Sequence, residues 1–152
     1  MNIEKKPFAI GLAGLLLAFA SASAWAEGTQ CENSFTVKDG LFNRKVYKTL
    51  QDYPIVPIQA IYRRAYKSLI KDGWVINLID KEGGVISASQ LEGSPGEGGK
   101  VATLNLFIEN AGKYGSLLGN VRVTTIFSVP GALQADEHMV RMALCSILGD
   151  IK

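Results

Sequence analysis

The stretch from Pro57 to Ser89 restricts the fold more than any other, because a basic amphipathic segment, a glycine stop and two apolar runs around a tight turn follow one another there. Pro57 suits the first turn of a helix, where its missing amide would be unpaired anyway. From there Ile58, Ile61, Tyr62, Ala65 and Leu69 recur at helical spacing, with Gln59, Arg63, Arg64, Lys67 and Lys71 on the other side. Lys71 favours the negative end of such a helix, and Gly73 offers a left-handed cap. Trp74 to Ile79 and Val85 to Leu91 then read as two strands, and Asp80-Lys81-Glu82-Gly83-Gly84 between them has hairpin-loop composition.

The flanking chain extends this into a sheet. Before the helix, Ser34 to Lys38 alternates, with Phe35 and Val37 on one side, and Asp39-Gly40 is a turn signal. Arg44 to Leu50 forms a candidate strand whose facing the pattern leaves open. The prolines of Asp52 to Pro57 predict a break in regular structure, since each lacks an amide donor and biases its predecessor toward extended geometry. After the hairpin, the glycines and proline of Glu92 to Lys100 predict a flexible loop. Val101 to Glu109 sets Leu104, Leu106 and Ile108 against Thr103, Asn105 and Phe107. Asn120 to Ser128 sets Val121, Val123, Thr125 and Phe127 against Arg122, Thr124 and Ile126. From Leu133 to Leu148 a broad helical stripe includes Ala135, Met139, Met142, Ala143 and Ile147, and in part Val140, Leu144 and Leu148, and Gly149 is expected to end it. The expected fold is α+β: an antiparallel sheet of four to six strands with two helices packed on one face, in the order strand, helix, strands, helix.

The beginning of the chain reads differently. Glu4, Lys5 and Lys6 precede an apolar or glycine run of thirteen residues, Phe8 to Ala20, and small residues follow to Ala26. That is the pattern of a secretory signal peptide, and the run is shorter than the roughly 20 residues that span a bilayer. Cleavage is expected after Ala26, in Ala24-Trp25-Ala26, leaving residues 27–152 as a single domain. Cys31 lacks the preceding box that lipid attachment needs, so the expected product is a soluble, periplasmic protein. Of 16 basic and 14 acidic side chains, Lys5, Lys6 and Glu4 leave with the leader; the remaining 14 and 13 give a formal charge of +1. A balance so close to neutral argues against nucleic acid as a partner. In an oxidising compartment Cys31 and Cys145 are expected to form one disulfide.

No catalytic constellation stands out. His138, the single histidine, has no companion at metal-ligand spacing, so neither a metal nor a cofactor is expected. A nucleophile would also have only that imidazole as its base. Ser94 to Val101 fails the phosphate-loop pattern, having Ser94 where glycine belongs and Val101 where a magnesium-binding hydroxyl belongs. Asp80 and Glu82 are explained by turn chemistry. Two features are left for binding. Arg63, Arg64, Lys67 and Lys71 make a basic strip, a candidate docking surface for an acidic envelope protein or anionic lipid headgroups, with a solvated helix face as the plain alternative. Tyr114, Leu117 and Leu118 in the Asn110–Gly119 loop make either an apolar tip or a cap on one end of the core.

With Gly73, Asp80, Gly84 and the apolar positions Val75, Leu78, Val85 and Ile86, the segment LIKDGWVINLIDKEGGVISAS resembles the helix-grip-like domains of small bacterial envelope proteins, the BamC-type accessory domain of the outer-membrane assembly machinery among them. The resemblance implies architecture and transfers no site residues. Two expectations for function follow: a non-catalytic interaction or scaffolding domain of the cell envelope, or a module that binds a small molecule or lipid in an apolar cavity between sheet and helix. Tyr66, Trp74, Phe107 and Ile126 are the expected cavity liners. Oligomeric state is left open, with Ser34–Lys38 and Asn120–Ser128 as the edges that could pair with a second copy.

Overall fold

The computed structural model describes residues 29–41, 44–92, 100–112, 119–130 and 135–152. The expected leader, residues 93–99 of the glycine-rich segment, and Tyr114, Leu117 and Leu118 lie outside the described residues. The order of elements is α1 (Gln30–Asn33), β1 (Thr36–Asp39), β2 (Lys45–Val56), α2 (Ile58–Lys71), β3 (Val75–Asp80), β4 (Val85–Glu92), β5 (Lys100–Asn110), β6 (Gly119–Val129) and α3 (Glu137–Asp150). The fold is α+β. Six antiparallel strands form one sheet in the order β1-β2-β6-β5-β4-β3.

This order explains the place of α2. It leaves β2 near one edge and carries the chain across the sheet to the far edge, where β3 begins; the strands β3 to β6 then return one by one until β6 pairs with β2. The alternation read in β5 and β6 decides which face meets the helices. Ala102, Leu104, Leu106 and Ile108 are buried in β5, Val121, Val123 and Thr125 in β6, and Ile86 and Ala88 in β4. Against them pack Ile61, Tyr62, Ala65 and Leu69 of α2 and Val140, Leu144, Ile147 and Leu148 of α3.

The hairpin after α2 shows how the turn residues act. Gly73 takes φ +80° and lets the Trp74 amide donate to the Leu69 carbonyl at 2.9 Å, closing the helix. Asp80 Oδ1 accepts from the amides of Glu82 and Gly83 at 3.0 and 2.8 Å, which fixes the turn. Gly84 has φ +74°, and a Cβ there would lie 2.7 Å from the Ile108 carbonyl oxygen, whereas one on Gly73 would meet open space. Gly84→Ala is therefore expected to lower stability by about 2 kcal/mol, and Gly73→Ala by about 1 kcal/mol. Urea unfolding of the two variants checks this; equal losses would contradict the close approach of β5.

Three sequence expectations need correction. β2 does not stop before the prolines but continues through Pro54 to Val56. Its pairing with β6 lapses between Tyr53 and Val56, so the amide Pro54 lacks is not needed there, and Ile55 absorbs the irregularity at φ 56°. Asn120–Ser128 is no free edge, because β6 lies between β2 and β5; the edges are β1 and β3. On α3, Met139 and Met142 are 64% and 57% exposed, so that of the broad stripe only Val140, Leu144, Ile147 and Leu148 are buried on the helix, and the helix runs past Gly149 to Asp150.

The segment from Thr29 to Asn33 is also more ordered than its polar composition suggests. Thr29 and Glu32 form a capping box around the single turn of α1. Gln30 Oε1 accepts from the Asp52 amide at 2.8 Å, and Arg122 grips the Asp52 carboxylate through Nε and Nη2 at 2.7 and 2.9 Å. Those Arg122 hydrogen bonds hold the Asp52 carboxyl below its usual range, the Gln30 side-chain donation adds to them, and partial burial opposes both. Cys31 and Cys145 form the expected disulfide, which ties α1 to α3 with Cα atoms 5.6 Å apart.

Candidate functional site

The candidate site is a groove of about 520 Å³ between α3 and the inner face of the sheet. Pro130 follows the end of β6, and Asp136 starts α3 by accepting from the Met139 amide at 2.9 Å, so the helix is launched beside the last residues of β6. Its Met139, Val140, Ala143, Leu144, Ser146 and Ile147 form one wall. Phe127 and Val129 of β6 and Gln90 of β4 supply the sheet side. Asp72 and Trp74, at the corner where α2 turns into β3, close one end, and Ala135 and Asp136 lie at the entrance to α3.

The groove rests on aromatic rings held by their neighbours. Trp74 meets Phe127 edge-on, centroids 5.9 Å apart, and Phe127 packs on Tyr47 at 5.9 Å, which in turn packs on Phe35 at 6.1 Å. Tyr47 donates its hydroxyl to the Ala135 carbonyl at 3.3 Å, and Arg141 lies 4.9 Å over the Phe35 ring. Burial raises the Tyr47 phenol above its ordinary range, so it remains a neutral donor at physiological pH. The sheet side is thus backed by packed rings, while the opposite lip carries the exposed, adaptable Met139.

No family model matches the chain. No curated protein matches it either. Among solved structures it is similar to a conserved protein of unknown function, EF2215 from Enterococcus faecalis, at 11% identity over 79% of this chain and 75% of that chain, with a TM-score of 0.48.

Of the four expected liners only Trp74 lines the groove. Phe107 and Ile126 stand on the other face of the sheet, in register with Thr124 and Asn105, because they alternate with the buried Leu106, Ile108 and Thr125. Tyr66 is 43% exposed on α2. The basic strip is divided as well. Lys71 pairs with Asp150 at 2.8 Å and Arg64 donates to the Ile151 carbonyl at 3.4 Å, so both help fasten the end of α3 to α2. Arg63 and Lys67 have no ion pair among the described residues. His138 lies exposed in the first turn of α3.

The sequence reading missed Asp72, Asp136, Ala143 and Ser146 as groove residues. One signal for the α3 wall was present: the run from Met139 to Ile147 holds more apolar side chains than one buried stripe can use.

Proposed function

We propose that this chain is an exported, non-catalytic binding module that holds an apolar or amphiphilic small molecule in the groove between α3 and the sheet. The groove itself carries the reading. Its size falls within the roughly 300–1,000 Å³ of ligand sites, and its make-up, mostly apolar walls with a few polar groups at the margins, matches theirs. Export is supported by the leader pattern and the Cys31–Cys145 bond, and N-terminal sequencing of periplasmic protein should find Glu27 first; an intact leader would contradict it.

Ala143 lines the groove yet is exposed on α3, so a larger side chain there fills the site without entering the core. Calorimetric titration with decyl maltoside below its micelle concentration should give saturable binding, and Ala143→Trp should weaken it by about tenfold or more with unfolding unchanged. Equal affinity in the two proteins would remove the groove from the account.

The envelope-interaction reading is favoured by a different observation. Edge strand β3 presents Val75 and Leu78 at 63% and 54% exposure, and its free backbone could accept a strand from an envelope partner. Crosslinking from position 75 in cells, with capture of one specific envelope protein, would support that reading; crosslinks no different from those at exposed Arg63 would remove it.

A further inference from the structure

We infer that the groove selects an amphiphile with a cationic head group, a long-chain amine or quaternary ammonium, the head placed beside Asp72 and Trp74. This rests on the groove being the binding site. Among the described residues both charged side chains lining it, Asp72 and Asp136, are carboxylates, and none is a lysine or arginine. The two are not equivalent. Asp136 is committed to the amide of Met139 and lies at the positive end of α3, which offsets its charge. Asp72 lies at the opposite kind of position, the C-cap of α2, where the helix carbonyls add to its negative potential. The adjacent cation, Lys71, makes its hydrogen bond and ion pair with Asp150 at 2.8 Å and feels the Asp72 charge less strongly, and the Asp72 carboxylate itself has no hydrogen bond or ion pair among the described residues.

Trp74 supplies the second half of the recognition. An indole is the best aromatic partner for an ammonium group, and the edge-on contact with Phe127 holds this one in place at the groove's end. A carboxylate and an indole at the end of an apolar groove give an ammonium head an electrostatic and a cation–π contact, while the chain runs against Met139, Ala143 and Ile147. A sulfate or phosphate head in the same place would face the carboxylate with no basic side chain among the described lining residues to offset it.

The test compares decyltrimethylammonium, decyl maltoside and decyl sulfate, each below its micelle concentration, by calorimetric titration of the purified disulfide-bonded protein. The ammonium compound is expected to bind about tenfold tighter than the maltoside, with the sulfate weakest. Asp72→Asn, an exposed substitution, should abolish the advantage of the ammonium, bringing the ratio of its affinity to that of the maltoside in the same variant to about one. If the maltoside binds and the ammonium gains nothing, or keeps its advantage in Asp72→Asn, the head-group inference is overturned and the groove reading stands. If none of the three binds, both are overturned.

Discussion

Replacing Cys31 and Cys145 together by alanine is expected to lower the unfolding free energy by about 4 kcal/mol, visible as a large drop in the urea midpoint with a somewhat steeper slope, because the unfolded chain expands once the crosslink is gone. The bond closes a loop of 114 residues, most of the folded chain, and so removes much of the freedom of the unfolded state. It also anchors α1, a single turn too short to hold itself, onto α3. The surrounding contacts depend on that anchoring: Thr49 donates its hydroxyl to the Cys31 carbonyl, and Ser34 Oγ accepts from the Leu50 amide at 3.0 Å. Reduction of the wild-type protein should produce the same shift. A loss below about 1 kcal/mol would mean that β1 and α1 hold without the bond.

Leu106→Ala is the second large effect, expected at about 3 kcal/mol or more. Leu106 is fully buried in β5, level with Ile86 of β4 and Thr125 of β6, so its removal leaves a cavity at the middle of the sheet. Val101→Ala on the same strand is the control: Val101 is 39% exposed on the other face and should cost about 0.5 kcal/mol or less. Similar losses at the two positions would contradict the assignment of the buried face.

The legible parts of this fold are those where a local pattern and a tertiary demand agree. The helical spacing of Ile61, Tyr62, Ala65 and Leu69 is the stripe that α2 buries, and Gly73 and Asp80 act as stop and turn. β5 and β6 were readable because buried positions recur at every second residue along most of each, at Ala102, Leu104, Leu106 and Ile108 and at Val121, Val123 and Thr125. Pro54 misled because its local preference is real but tertiary pairing overrides it: a strand can pass a proline where the ladder is already interrupted. α1 was hidden by brevity, since one turn has no periodicity to read.

The site was less legible, for a geometric reason. A groove needs the relative placement of α3, β6 and the α2–β3 corner, elements far apart in sequence, and no local pattern states it. Trp74 could be singled out as a large side chain at a corner. Phe107 and Ile126 could have been excluded as liners, because each alternates with residues assigned to the helix-covered side. The basic strip showed the same ambiguity: charge alone did not reveal that Lys71 and Arg64 reach the end of α3.

The central claim is that ligand enters the groove between α3 and the sheet, and amide chemical-shift mapping during a titration with decyl maltoside tests it most directly. The account predicts saturable shifts from Met139 to Ile147, at Phe127 and Val129, and at the Trp74 indole. Shifts confined to Phe107 and Ile126 on the opposite face, or to the Val75–Asp80 edge, would contradict it.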